Sequence, residues 1–86
     1  MPQLSRFFGI IIYMYYGDHL PPHFHVEYNE FSAKISIQTL DVIKGELPNR
    51  VLALAIEWAV LYRNDLMMDW ELMLQGKTLH PIKPLI

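Results

Sequence analysis

The sequence predicts an α+β fold: an N-terminal antiparallel sheet of about three strands, then two helices packed on one face, then an extended C-terminal tail. The first half contains a β-branched and aromatic run followed by two segments that alternate apolar and polar residues, a pattern typical of strands. The second half contains two apolar segments of helical length and a tail with two prolines. Because the strands precede the helices instead of alternating with them, the order favours an antiparallel sheet.

The first predicted strand is the apolar run from Phe7 to Tyr16, which has no helical periodicity and should be buried on both faces. Gly17 to Pro22 cannot continue a strand ladder and is predicted to turn. The next strand covers 23–28. Its residues should alternate between an apolar face, with Phe24, Val26 and Tyr28, and a polar face, with His23, His25 and Glu27.

Asn29-Glu30 is a plausible two-residue loop that leads into a third strand over 32–37. This loop length fixes the register, so that Tyr28 faces Phe31, Val26 faces Ala33, His25 faces Lys34 and His23 faces Ser36. Residues 41–45 are expected to form either a short edge strand or a turn.

Residues 47–50 open the first predicted helix, with Pro48 suited to its first turn, where a missing N–H is tolerated, and the apolar segment 51–62 continues it. A break near residues 63–65 precedes a second helix over 66–75, with Asp65 as candidate N-cap and Gly76 as the residue just after the helix. The tail, 77–86, retains four large apolar residues, so we expect it to pack against the domain.

The composition limits the classes of protein that need to be considered. A chain of 86 residues supports one domain, spanning 1–86. Hydrophobic residues make up 52% of it, which favours an apolar surface for a homo-oligomer or hetero-complex. The absence of cysteine excludes disulfides, thiolate metal sites and thiol nucleophiles. A net charge of -2 does not mark a nucleic-acid binder.

The apolar run after Arg6 is not expected to be a signal peptide or a membrane span. It is followed by Gly17-Asp18-His19 instead of a small-residue cleavage site, and a membrane helix needs roughly 20 residues. We therefore expect a cytoplasmic protein without a membrane partner.

The candidate chemistry lies on one segment, where His19, His23 and His25 follow Asp18 within eight residues, 18–25. The two histidines of the His-x-His pair leave the same face of a strand, roughly 6.5–7 Å apart. Pro21-Pro22 should stiffen the loop that carries His19 and hold it near the start of the strand.

Three interpretations of this segment compete. The histidines could be surface residues of a polar strand face. They could form a site for a divalent metal such as zinc, with His23, His25 and either His19 or Asp18 as ligands. They could instead act without a cofactor, as acid/base or phosphate-binding groups, with Lys34 and Arg6 as cations. The third interpretation is favoured, and it makes His23, His25 and His19 the candidate catalytic residues.

Other side chains are weaker candidates. Four tyrosines, Tyr13, Tyr15, Tyr16 and Tyr28, could stack on nucleobases, although such residues are more often used for packing. Together with Arg6 and Lys34, Asp18 and Tyr28 are taken as candidate substrate-binding residues.

The chain also resembles the small bacterial proteins of the domain-of-unknown-function 4160 family. The resemblance is specific in Asp18-His19-x-Pro21-Pro22-His23-Phe24-His25-Val26-x-Tyr28, and it extends to Ser5-Arg6-Phe7-Phe8-Gly9-Ile10, Met14, Gly45-x-Leu47-Pro48, Glu57-Trp58, Asp65-Leu66 and Asp69-Trp70-Glu71. Members of this family are often encoded beside a second small protein whose relatives carry a helix-turn-helix. The resemblance therefore implies a toxin component of a type II toxin–antitoxin pair, with a cognate antitoxin-like partner.

Toxins of this size are commonly ribonucleases, so the leading expectation is RNA cleavage by metal-free histidine chemistry. The alternatives are a non-catalytic protein-interaction module and a small metal-binding protein that uses the His-x-His pair.

Overall fold

The N-terminal half of the chain forms one antiparallel sheet of five strands, arranged side by side in sequence order. The computed structural model describes residues 2–86. The elements are β1 (Gln3–Phe7), β2 (Ile10–Tyr13), β3 (His23–Tyr28), β4 (Phe31–Ser36), β5 (Val42–Glu46), α1 (Asn49–Leu61) and α2 (Arg63–Leu74). The predicted α+β class is confirmed, whereas the expected number of about three strands is too small.

The run from Phe7 to Tyr16 is not one strand, because the chain reverses inside it. Phe8 and Gly9 form a two-residue turn between β1 and β2, and Phe7 lies opposite Ile10. Both turn residues have positive φ, 51° for Phe8 and 78° for Gly9, as the tightest hairpin turns require. Because Phe8 is apolar, it continues the apolar run and gives no turn signal in the sequence.

The β3–β4 hairpin has the predicted register. His23 lies opposite Ser36, His25 opposite Lys34, and Tyr28 opposite Phe31. Asn29 has φ 52° in the connecting loop, a backbone region that asparagine tolerates better than most residues. The two histidines of the pair therefore leave the same face of β3, as the alternation predicted.

Strand β5 is the edge strand that the sequence left open as an alternative to a turn. Lys34 lies opposite Lys44, whereas the next residue, Ile35, lies opposite Val42. Ile43 is therefore the extra residue of a β-bulge. Gly45 follows with φ 84°, and a Cβ atom there would collide with the carbonyl oxygen of Ser32, so β5 passes very close to β4.

The first helix begins within the predicted opening segment 47–50 and ends at Leu61, one residue before the predicted end. Helix α1 begins at Asn49, and Pro48 precedes it in an extended conformation instead of lying in its first turn. The two helices meet at Tyr62, and α2 begins at Arg63. Asp65 is consequently in the first turn of α2, where a carboxylate is favourable to the helix dipole, and is not its N-cap.

The end of α2 is as predicted. Gly76 follows the helix with φ 68°, its N–H donates to the Met73 carbonyl at 3.0 Å, and the Lys77 N–H donates to the Leu72 carbonyl at 2.9 Å. This pair of bonds is the Schellman arrangement that glycine favours.

The core lies between the sheet and the helices, with Trp58 of α1 fully buried at its centre. Its ring packs against Phe7 and Phe24, with centroids 5.7 and 6.0 Å away. The tail packs down as expected: its Ile82 N–H donates to the Leu4 carbonyl, and the Trp58 indole donates to the Lys83 carbonyl. Some of the large apolar side chains are not buried in the core. Four of those on the helices are more than half exposed: Val60, Leu61, Met68 and Leu74.

None of the helices within residues 2–86 is both long enough and apolar enough to span a membrane.

Candidate metal centre

Asp18, His23 and His25 converge at one end of β3, and we call them the ligand cluster. The three side chains each offer one atom, and these atoms all lie within 4.8 Å of one another. Asp18 Oδ2 is 3.0 Å from His25 Nε2 and 3.4 Å from His23 Nε2. The loop between β2 and β3 thus brings a carboxylate onto the His-x-His pair.

Local hydrogen bonds hold Asp18 in this position. Its Oδ2 atom accepts the Tyr15 N–H at 3.3 Å, and its own N–H donates to the Tyr15 carbonyl at 3.4 Å. Gly17, between them, has φ 87°, a backbone conformation that glycine adopts without a steric cost. The Gly17-Asp18 pair therefore turns the carboxylate back toward β3.

The His23 ring is oriented by the loop that precedes it. Its Nδ1 atom lies 2.8 Å from the Pro21 carbonyl oxygen. Because a carbonyl can only accept, Nδ1 carries the hydrogen, and in the neutral ring Nε2 carries a lone pair. That Nε2 atom is buried and has no hydrogen-bond partner within residues 2–86. In that neutral form no hydrogen lies between Nε2 and the Asp18 carboxylate oxygen, 3.4 Å away.

His25 lies in an aromatic pocket. The Tyr13 ring is stacked on it, with centroids 5.2 Å apart, and Tyr15 contacts it edge-on at 4.7 Å. Burial lowers the pKa of His25, and its hydrogen bond with Asp18 opposes this shift only in part. The same surroundings raise the pKa of Tyr13 to about 12, chiefly through burial. His25 is thus favoured in its neutral form, the form that binds metals.

Both histidines of the cluster are buried, so they are not the exposed side chains of a polar strand face. His23 is 4% exposed and His25 7% exposed. Trp70 of α2 packs against the His23 ring at a centroid distance of 5.3 Å. Helix α2 therefore covers one side of the cluster, a contact that nothing in the local sequence around the histidines indicates.

His19 lies beside the cluster but outside it. Its side chain is exposed and lines a groove of about 170 Å³, the His19 groove, with Asp18, Leu20, Pro21, His23, Lys34 and Ile43. Because His23 and Asp18 both line this groove, a small ligand in it can reach them.

A second groove, of about 280 Å³, borders the cluster on the sheet face. We call it the lysine groove, and it is lined by Tyr13, Tyr15, His25, Ser32, Ala33, Lys34, Lys44 and Gly45. Tyr13, His25, Lys34 and Lys44 occupy directly opposite positions on β2, β3, β4 and β5. The expected cation Lys34 is therefore next to the histidines, and Lys44 joins it.

Two of the sequence-predicted residues lie elsewhere. Arg6 is opposite Ile11 on β1 and lines neither groove. Tyr28 is partly buried against the core, near Gly9. Lys44 was missed because the bulge at Ile43 breaks the alternation of β5, and that alternation is the only local signal that could have placed it on the His25 face.

The ligand cluster fits a divalent metal ion. Zinc lies at about 2.0–2.2 Å from imidazole nitrogen and carboxylate oxygen, so two tetrahedral ligands are about 3.3 Å apart. The two separations from Asp18 Oδ2, 3.0 and 3.4 Å, bracket that value, and the two histidine ligand atoms lie within 4.8 Å of each other. The Pro21 carbonyl, which holds Nδ1–H of His23, is the kind of outer partner that orients metal-binding histidines.

Comparison with known proteins gives one informative result. Residues 9–71 match the family described as Domain of unknown function (DUF4160), and this segment holds the whole ligand cluster and both lysines. No curated protein and no solved structure matches the chain. Because the match covers well over half of its length, the chain belongs to the DUF4160 family.

Proposed function

We propose that Asp18, His23 and His25 form a divalent-metal centre with coordination positions open to solvent or substrate. The observation that carries this proposal is the buried, unpartnered Nε2 atom of His23, which lies 3.4 Å from Asp18 Oδ2 and carries a lone pair when the ring is neutral. Two electron-rich atoms in this arrangement repel each other, and a cation bound by both removes the repulsion. The convergence of His25 Nε2 on the same oxygen completes three ligands.

The ligand types narrow the choice of metal and of reaction. Two imidazoles and one carboxylate suit zinc and the neighbouring transition metals, and three protein ligands leave positions free for water. A metal at such a site lowers the pKa of its bound water to near neutrality. The proposed activity is therefore hydrolysis, with the two grooves as routes for a substrate.

Metal content tests the proposal. The full chain without a polyhistidine tag is incubated with zinc or manganese, freed of loose metal and analysed for elements. We expect about one metal ion per chain in the wild type, none in His23→Gln, and one in His80→Gln. His80 is the matched control because its side chain is exposed and only its backbone N–H is bonded, to Asp69. A wild-type protein with far less than one metal per chain contradicts the proposal.

A second candidate is the metal-free RNA-cleaving toxin component that the family resemblance implies. It is supported by the row of His25, Lys34 and Lys44, which sets an imidazole beside two ammonium groups. In this mechanism a histidine transfers the proton and the lysines stabilise the phosphate charge. The toxin would act with a cognate antitoxin-like partner.

The two candidates differ in their response to a chelator. Cleavage of single-stranded RNA that persists in excess EDTA supports the metal-free toxin. Cleavage that stops in EDTA and returns with added zinc or manganese supports the metal centre as the catalytic unit. Growth inhibition on expression, relieved by co-expression of the adjacent gene product, tests the toxin role itself.

A further inference from the structure

We infer that the lysine groove binds a phosphodiester of single-stranded RNA next to the ligand cluster. The inference rests on the proposed function, because the metal centre would cleave the bound phosphodiester. It names single-stranded RNA as the substrate class of that centre. Its starting point is the pair Lys34 and Lys44, which lie directly opposite each other on β4 and β5.

Like charges at opposite positions of a sheet repel each other and destabilise it. Within residues 2–86, no carboxylate oxygen lies within 4.0 Å of either ammonium group to offset this cost. The neighbour of Lys34 on the other side is His25, whose carboxylate partner Asp18 is held within the ligand cluster. Glu27 and Glu46 lie on the same face, each opposite Ser32, but within residues 2–86 neither forms an ion pair with Lys34 or Lys44. The groove can therefore accept an anion as a countercharge to the two lysines.

The lysine pair is created by the β-bulge. If β5 continued without a bulge from the pairing of Ile35 with Val42, Ile43 would lie opposite Lys34 and Lys44 would point to the other face. Bulges re-aim side chains next to functional sites. Here the bulge places the second cation on the same face as His25, at the expense of repulsion.

The walls of the groove favour a nucleic acid over a bare phosphate. Tyr15 lines it and remains 41% exposed, so an aromatic side chain is accessible to a base. Stacking of bases on aromatic side chains, combined with lysines along the backbone, is how proteins hold single strands. The groove of about 280 Å³ lies open along the sheet, which suits a strand that passes through it.

The test is binding of a fluorescent single-stranded RNA oligonucleotide, followed by anisotropy at low ionic strength in excess EDTA. We expect the double variant Lys34→Gln/Lys44→Gln to bind at least about tenfold more weakly than the wild type. The slope of log K against log salt should also fall by about 1.4, which corresponds to two lost phosphate contacts. Lys83→Gln is the matched control, since it removes an exposed lysine of the tail, and it should bind within about twofold of wild type.

Tyr15→Leu separates a nucleic acid from a phosphate ion. It should weaken RNA binding and leave competition by inorganic phosphate unchanged, because only the base needs the aromatic ring. Equal RNA affinity of the wild type and the double lysine variant overturns the inference. The inference is also overturned if the wild type binds inorganic phosphate but no RNA, or if it binds neither ligand.

The presence of EDTA keeps this test independent of the metal centre. RNA binding that depends on Lys34 and Lys44, in a protein that takes up no metal, supports the groove and contradicts the metal proposal. Metal uptake without RNA binding supports the metal centre and contradicts the groove.

Discussion

His23 Nε2 and Asp18 Oδ2 lie 3.4 Å apart, and the hydrogen bond of His23 Nδ1 to the Pro21 carbonyl leaves the neutral ring without a hydrogen on the nitrogen that faces the carboxylate. A bound cation converts this repulsive contact into an attractive one. This contact is the basis of the proposal that the buried histidines are metal ligands. In this proposal Asp18 contributes to metal binding as directly as the two histidines do.

The first prediction concerns the carboxylate. Asp18→Asn keeps the shape of the side chain and removes its charge, so the affinity for zinc should fall by more than about 100-fold, since even outer-shell substitutions cost 10–100-fold. Competition with a chromophoric chelator measures the change. Asp41→Asn, an exposed aspartate outside the cluster, should keep wild-type affinity. Equal losses in both variants would indicate a general charge effect instead of ligation.

The second prediction concerns the lysine pair. Lys44→Gln should raise the free energy of unfolding of the metal-free protein by up to about 0.5 kcal/mol at low salt, because it removes a like-charge pair across β4 and β5. Added phosphate should then stabilise the wild type more than the variant. Urea denaturation measures both effects, and Lys83→Gln serves as the control. A variant less stable than wild type would show that the lysines do not repel.

The third prediction concerns the close approach of β5 to β4. Gly45→Ala should cost more than about 2 kcal/mol of stability, because its Cβ meets the Ser32 backbone at a positive φ. Gly76→Ala has a positive φ but open space around it, so it should cost only about 1 kcal/mol. Both free energies come from urea denaturation. If the two variants lose the same stability, the contact with Ser32 is not limiting.

The fourth prediction concerns pH and Asp69, a buried carboxyl of α2 that accepts the His80 N–H. Burial raises its pKa, so the folded state binds the proton more tightly than the unfolded chain. Its stabilising effect is thus fully present below the unfolded pKa of about 3.9 and is lost as the pH rises through the folded pKa.

Asp69→Asn should remove this decline. As the pH rises from about 4 toward neutrality, the wild type should lose free energy of unfolding relative to the variant. Asp41→Asn, an exposed aspartate before β5, should leave the pH profile unchanged. A constant difference across this range would mean that the Asp69 carboxyl titrates normally in the folded protein.

The strand pairing around the histidines could be predicted from the sequence because two local rules agree there. Residues 23–28 and 32–37 alternate with period two, and a two-residue loop leaves one register for Tyr28 opposite Phe31. The β1–β2 hairpin lacked such a signal. Its turn places Phe8, an apolar side chain, at φ 51°, a conformation that large residues rarely adopt.

Only the part of the site whose residues are close together in the sequence could be predicted. Asp18, His23 and His25 lie within eight positions, so a single loop brings them together. Trp70 reaches His23 from α2, and Lys44 reaches the same face through the bulge at Ile43. Both contacts depend on tertiary packing and on a register shift, neither of which alternation or spacing reveals.

The most direct measurement is a side-chain ¹⁵N NMR spectrum of the histidines, recorded before and after one equivalent of zinc. The metal-free protein should show His23 as the Nδ1–H tautomer and His25 with its hydrogen on Nε2, bonded to Asp18. Zinc should shift the Nε2 signals of His23 and His25 and leave those of His19 and His80 in place. Unchanged His23 and His25 signals, or a shift at His19 and His80 alone, would contradict a metal centre at Asp18, His23 and His25.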